Sequence, residues 1–397
     1  MELIKVDLPD NKEPWIIPVI DRVRIVFEEI NRGKNINILL YEHPDTSTFR
    51  YRCYNVFQWT QYSDNWRAVY FFQDELEIVK SFLHRIKILT IVRFRWIIEL
   101  DNIIKYAESL CIPVVYDTDD YIFDLDILPL LTNTIDVRLN QPGQYDYWFS
   151  YIARNGFVAK RANIFSCTND YLGHMLEEKL HHPYYLIRNT LNQEQLDVSR
   201  MCKQKKSYSQ RGNSFSIGYF SGSPSHNNDF AMISEEIACF LEQNRNVTFV
   251  IVGFMNLPNS FKAAIDRGQV IIFPLVNFLE LQTLIASVDI NVVPVIENSF
   301  TNCKSELKFF EAGIVGTLTI ASPIHSYRMI INDGVNGYLC NSGQWYEKLS
   351  LIYNNWEQQI EVIDNAYKDS LKYYSGENIV KEFEKSFDYC ISLFKTT

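Results

Sequence analysis

The chain has 397 residues, 47% hydrophobic and 14% aromatic, a length that exceeds one ordinary core and suits two domains of about 150 to 200 residues. Its 38 basic against 48 acidic side chains give a formal charge of −10, which excludes bulk nucleic-acid binding and leaves local basic patches as anion sites. The eight cysteines stand singly, so neither a zinc site nor a disulfide framework is indicated and a reducing cytoplasm is expected; with no apolar signal core and no apolar run of about 18 residues, membrane contact is expected to be peripheral only.

Residues 1–34 read as a charged, partly helical lead-in, and the first convincing strand is 35–41. The segment 49–60 is aromatic-rich and 73–84 suits a helix. The run 86–93 alternates and then turns apolar like a buried strand, and 98–111 is an amphipathic helix. A strand at 112–117 ends abruptly in Asp117-Thr-Asp-Asp-Tyr-Ile-Phe-Asp124, four carboxylates within eight residues. Helical character over 141–161, a strand at 162–168, a helix at 170–180 and a strand at 184–189 complete a doubly wound α/β alternation. From 191 to 213 the chain turns polar and basic and periodicity disappears, which reads as a linker. A second alternation follows, with strands at 214–221, 247–253, 270–273, 289–295 and 317–323 separated by helices at 230–242, 258–267, 278–288 and 302–313. Helices at 342–356, 357–373 and 376–395 close the chain.

Charge is concentrated where a soluble domain should carry core, in Asn302-Cys-Lys-Ser-Glu-Leu-Lys-Phe-Phe-Glu-Ala-Gly313. Asn302 can cap such a helix and Gly313 can end it. Lys304, Lys308 and Glu311 then fall at i, i+4 and i+7, so one stripe holds two cations and a carboxylate, suited to an anionic and a hydroxylated group. The alternative is an exposed helix with a solvated charged face. The loop from Gly218 to Asp229 lies between a strand and a helix, where small residues let backbone N–H groups approach phosphate; it is neither GxGxxG nor a Walker loop, and a plain structural turn is the other reading. Lys80, His84, Arg85, Lys87 and Arg95, interleaved with Phe82, Leu83 and Trp96, form either a surface for anionic lipid or ordinary exposed positions.

In this order the motifs resemble the donor-binding domain of GT-B glycosyltransferases, in particular the retaining bacterial family-4 enzymes that build capsule, O-antigen and related polysaccharides. The matching residues are Gly222, Ser223, His226, Asp229 and Phe230, then Lys304, Ser305, Glu306, Lys308, Glu311 and Gly313, then Gly334 and Gly337. In the first half Tyr51, Arg52, Arg93 and residues 113–124 are similar to the acceptor-side domain of the same group. The resemblance implies two Rossmann-like domains facing a cleft: a lead-in 1–34, an acceptor-side domain 35–200, a linker 201–213, a nucleotide-sugar domain 214–375 and a C-terminal helix 376–397. It implies a nucleotide-diphosphate sugar as donor, a saccharide or lipid-linked acceptor, no metal and no separate cofactor, in the cytoplasm or at the inner face of the membrane. Asp119, Asp120, His226 and Lys304 would be catalytic. Gly222, Ser223, Ser305, Glu306, Lys308 and Glu311 would hold the donor, with Glu311 on its ribose and the N-terminus of the helix from Ser305 on its phosphates. Where relatives place a glutamate eight positions before Glu311 this chain has Cys303, and no cation occurs between Gly212 and Arg245. Two alternatives stand: a GT-A transferase holding a divalent metal on Asp117 and Asp119, and a non-catalytic carbohydrate-binding or scaffold protein on a transferase fold.

Overall fold

The computed structural model describes residues 2–45, 47–134, 141, 143–208, 214–221, 227–253 and 255–395. Its strands form two six-stranded sheets. The first contains β1 (Asn35–Tyr41), β2 (Trp66–Phe72), β3 (Ile88–Val92), β4 (Val114–Thr118), β5 (Ile164–Cys167) and β6 (Tyr184–Leu186), in the order β2-β1-β3-β4-β5-β6. The second contains β7 (Phe215–Ser221), β8 (Val247–Gly253), β9 (Val270–Phe273), β10 (Ile290–Val293), β11 (Leu318–Ala321) and β12 (Tyr338–Leu339), in the order β12-β11-β10-β7-β8-β9. Every pairing is parallel, as crossover helices demand. Strands such as β3 (Ile-Leu-Thr-Ile-Val) are buried along their whole length, which is why their sequences run apolar instead of alternating.

The helices of the first half are α1 (Val19–Asn31), α2 (Asn55–Thr60), α3 (Leu76–Phe82), α4 (Ile98–Ser109), α5 (Leu128–Thr134), α6 (Gln144–Ala159), α7 (Asp170–Leu180) and α8 (Gln193–Lys205). Those that follow are α9 (Asn227–Ala231), α10 (Ser234–Gln243), α11 (Lys262–Asp266), α12 (Phe278–Ala286), α13 (Ser299–Asn302), α14 (Leu307–Gly313), α15 (His325–Ile330), α16 (Trp345–Asn354), α17 (Gln359–Tyr374) and α18 (Glu377–Phe394). Immediately before α2 the chain makes a wide π-helical turn, Arg50–Tyr54, in which all five side chains are buried.

The structure departs from the reading of the sequence in several places, the short edge strand β12 among them. Strand β2 was not foreseen; it carries a buried Arg67 whose guanidinium donates to the Phe57 carbonyl, and the interrupted pattern hides it. Helix α8 occupies most of the stretch read as linker. Its buried face is largely polar (Gln195, Ser199), so apolar periodicity is absent, although Asn192 and Gln195 form a capping box. The charged helix is broken in two. Asn298, not Asn302, caps α13, Asn302 Oδ1 accepts the His325 N–H at 2.8 Å, and the chain unwinds through Lys304 and Ser305 before α14 begins at Leu307. Finally, Gly313 serves close packing: a Cβ there would lie 2.3 Å from Ser370 Oγ and 2.9 Å from the Ala366 carbonyl on α17.

One continuous apolar cluster runs from Trp15 through both sheets to Cys390. Trp15 itself, in the lead-in, packs its ring 5.6 Å from Tyr54 of the first half and 5.6 Å from Phe278 of α12 in the second. At the other end α18 returns to the first sheet, where Phe387 meets Trp66 at 5.3 Å and Asp388 accepts the Trp66 indole N–H at 2.9 Å. Among the described residues no helix is long and apolar enough to cross a membrane.

Candidate active site at the carboxyl ends of both sheets

In each sheet the strand order reverses once, between β1 and β3 and between β7 and β10. At such points neighbouring loops leave in opposite directions and open a crevice for ligand. Both crevices contribute to one cavity of about 250 Å³, lined by Thr48 after β1, Arg93 after β3 and Asp119 and Asp120 after β4 from one half. Asp229, Val295, Lys304, Ser305 and Lys308 line it from the other.

The first-half wall is built around Arg93. Its backbone lies in the left-handed region (φ +41°), rare for a residue with a Cβ, and is held there by its N–H on the Asp117 carbonyl at 3.0 Å. That twist brings the guanidinium to Asp119 Oδ1 at 2.8 Å, Thr48 Oγ1 at 3.0 Å and the Tyr151 hydroxyl at 3.1 Å. Asp120 follows in a tight turn: its Oδ1 accepts the Tyr121 N–H at 3.1 Å, and its Oδ2 lies 3.8 Å from Lys304 Nζ across the cavity. A carboxylate of the first half and a cation of the second are thus within reach of one small group.

On the opposite wall Lys304 comes from the unwound segment and Lys308 from the first turn of α14, so both predicted cations line the cavity although they do not share one helix. Burial pushes the Lys308 ammonium down to about 8, against the pull of Asp229 and Glu311. Its Nζ lies 5.3 Å from the Tyr219 ring centroid. Ser305 presents its hydroxyl beside them.

Two predicted donor-side residues are placed elsewhere. Glu306 turns back into the protein and accepts the Tyr374 hydroxyl at 2.7 Å, and burial raises its pKa. Glu311 is buried and does not line the cavity, because the Tyr51 hydroxyl donates to its Oε1, Arg50 lies 3.8 Å away and Gln195 reaches it at 3.4 Å. Gly222, Ser223 and His226 lie outside the described residues. Asp117 is no metal ligand in this arrangement: Arg52 covers both of its oxygens at 2.9 and 2.5 Å, and the Ser166 hydroxyl donates to one of them, which removes the DxD reading together with the GT-A alternative. Cys303, at the position of the relatives' glutamate, is fully buried with Sγ 3.1 Å from the Ser299 carbonyl, and burial raises its thiol pKa. The basic cluster near residue 84 does not assemble as an apolar lipid surface, since Phe82 and Leu83 are buried and Arg95 is paired with Glu42.

Sequence reasoning passed over Thr48, which lines the cavity, and Asn169 and Asn189, whose amides donate to the Cys303 and Lys304 carbonyls and to Ser305 Oγ, and gave Arg93 no role. Arg93 was named only among the residues that carry the resemblance, and its local signal is its place directly after a buried strand.

Residues 215–355 match the family model described as Glycosyl transferases group 1. No functionally curated protein matches the chain in sequence. Among solved structures, HepE of Anabaena in complex with UDP and glucose superposes with a TM-score of 0.60 at 12% identity, over 89% of this chain and 100% of that one. A glycosyltransferase from Rickettsia africae gives 0.59 at 11%, over 90% and 99%, and sucrose-phosphate synthase from Thermosynechococcus elongatus gives 0.57 at 11%, over 92% and 100%. The fold is therefore GT-B, two parallel α/β sheets with a cavity between their carboxyl ends, and residues 215–355 of its second half match the glycosyl transferases group 1 model.

Proposed function

We propose that the protein is a retaining, metal-independent glycosyltransferase. It moves a hexosyl or deoxyhexosyl group from a nucleotide-diphosphate donor to a hydroxyl of a glycan or lipid-linked saccharide, in the synthesis of bacterial surface polysaccharide or glycoconjugate at the cytoplasmic side of the membrane. The observation that carries this reading is the single cavity in which Lys304, Lys308 and Ser305 face Arg93, Asp119 and Asp120. Breaking the bond between the anomeric carbon and the phosphate oxygen sends an electron pair onto the diphosphate. Lys304 and Lys308 stabilise that growing charge where a metal ion would otherwise do so. The acceptor oxygen forms the new bond to the anomeric carbon and gives up its proton, for which Asp120 is the positioned base. Asp119 is committed to Arg93 and shapes the wall. UDP in the bound HepE structures makes a uridine nucleotide the first donor base to try.

A thermal-shift series with UDP, GDP, ADP and dTDP sugars, followed by donor hydrolysis with and without EDTA, tests the reading. Stabilisation by one donor with slow hydrolysis that EDTA leaves unchanged supports it. Binding without turnover favours the non-catalytic carbohydrate-binding alternative, for which the buried Cys303 and the committed Glu311 speak. A rate lost to EDTA and restored by Mn²⁺ ends the metal-independent part.

A further inference from the structure

A hydroxyl has one hydrogen to donate, and the direction from which it already accepts is closed to that hydrogen. Ser305 Oγ, in the cavity wall, accepts from Asn189 Nδ2 at 2.9 Å. The direction of that bond is fixed from behind. Asn189 Oδ1 accepts from Arg52 Nη1 at 3.0 Å, and a guanidinium has only donors, so the amide oxygen must face Arg52 and the amide nitrogen must face Ser305. Arg52 is locked in turn by its two bonds to Asp117. Asp117, Arg52 and Asn189 are all buried, at 3%, 1% and 2% exposure, so water does not compete. Side bonds from Arg52 Nη1 to the Ile187 carbonyl and from the Ser166 hydroxyl to Asp117 hold the same groups, and the polarity runs through them from a carboxylate at the end of β4 to a hydroxyl on the other half of the molecule.

Asn169 acts on the same segment. Its Oδ1 takes the Leu172 N–H at 2.9 Å, so its Nδ2 is the group that donates to the carbonyls of Cys303 at 3.0 Å and Lys304 at 3.1 Å. These two carbonyls are thereby engaged by the first half.

We propose that Asn189, oriented by Arg52 and Asp117, is a positioning residue that presets Ser305 as a hydrogen-bond donor to an oxygen bearing only lone pairs. In the donor reading of the cavity, on which this rests, that oxygen belongs to the diphosphate. The anion grip of the second half is then completed by the first half, and it exists only while the two are closed on each other.

The test is calorimetry of Asn189→Asp, Asn189→Ala, Ser305→Ala and the Asn189→Asp/Ser305→Ala double variant against UDP, GDP, ADP, dTDP and inorganic pyrophosphate, with melting curves alongside. Aspartate keeps the shape and the Arg52 contact but can only accept, so it draws the Ser305 hydrogen away from the cavity. Asn189→Asp and Ser305→Ala should each weaken the bound nucleotide by roughly tenfold, the loss expected for one hydrogen bond to a charged group. The double variant should be no worse than either single one. Asn189→Ala, which frees the hydroxyl to rotate, should lose less than Asn189→Asp. A packing role predicts the opposite order, and a purely electrostatic effect of the new carboxylate would persist without Ser305 and make the losses add; either result overturns the relay. Wild-type binding with unchanged variants also overturns the relay but leaves the donor reading standing. A wild type that binds none of the five probes overturns both.

Discussion

Lys308 is held in conflict: the same burial that would strengthen its attraction for a phosphate also disfavours its charge and brings its pKa to about 8. Between that value and its ordinary 10.5 the folded protein leaves Lys308 neutral while the unfolded chain is still protonated. The unfolded state then binds more protons, so this residue makes stability rise with pH across that window, while affinity for a diphosphate should fall. Calorimetry of UDP from pH 7 to 9.5 should show weakening above about 8 with proton uptake on binding, and Lys308→Arg should abolish the trend because a guanidinium stays charged. A flat profile in the wild type removes Lys308 from the anion site. Glu311 presents a second residue-level choice. If it serves the ribose, the Tyr51 hydroxyl is its competitor, and Tyr51→Phe should tighten nucleotide binding while Glu311→Ala weakens it. Weaker binding in Tyr51→Phe would instead mean that the Tyr51–Glu311 contact is what holds the nucleotide-competent cleft together.

At the scale of elements, the site depends on the ends of strands and on irregular turns more than on helices. The π-helical turn Arg50–Tyr54 brings Arg50 and Tyr51 to Glu311 and sends the next residue, Arg52, to Asp117. An ordinary helical turn would spread three consecutive side chains about 100° apart, and such wide turns recur where function imposes the geometry. The turn after β4 divides two neighbouring carboxylates in the same way, Asp119 to Arg93 and Asp120 to the cavity mouth. Asp120→Asn should therefore leave donor affinity intact and lower transfer by about 10²- to 10⁴-fold. Asp119→Asn should release Arg93 and show first in the melting curve. Transfer at wild-type rate in Asp120→Asn would exclude it as the base.

At the scale of the whole molecule, the lead-in and the last helix fasten the two halves. Trp15 is completely buried between Tyr54 and Phe278, and nearby Lys12 pairs with Glu280 of α12 at 2.8 Å. Removing a buried indole costs about 3 to 5 kcal/mol. Trp15→Ala should lower the denaturant midpoint accordingly, and because it bridges both halves it should also weaken nucleotide binding at a site that it does not touch. Phe387→Ala on α18 should cost a similar amount by detaching that helix from Trp66. Two separate unfolding transitions in Trp15→Ala, against one in the wild type, would be the clearest sign that the indole couples the halves. Unchanged cooperativity and affinity would leave it a local core residue.

What the sequence determined by itself is whatever local periodicity encodes. The parallel strands β1, β8 and β9 lie where their apolar runs are, the two α/β alternations follow from strand and helix periods, and the carboxylates after β4 stand at a strand end. Lys304 and Lys308, chosen by chemistry and spacing, and Ser305, Asp119 and Asp120, named through the resemblance, line one cavity. Tertiary structure alone decided which polar groups are consumed by others. It gave Glu311 to Tyr51, Glu306 to Tyr374 and Asp117 to Arg52, and it made α8 a helix by burying a polar face against Arg50 and Gln282. The reason is physical: a period reports which side of an element is apolar, whereas a buried polar group is fixed by the partner that satisfies it, and here that partner lies across the docked halves or many residues away along the chain.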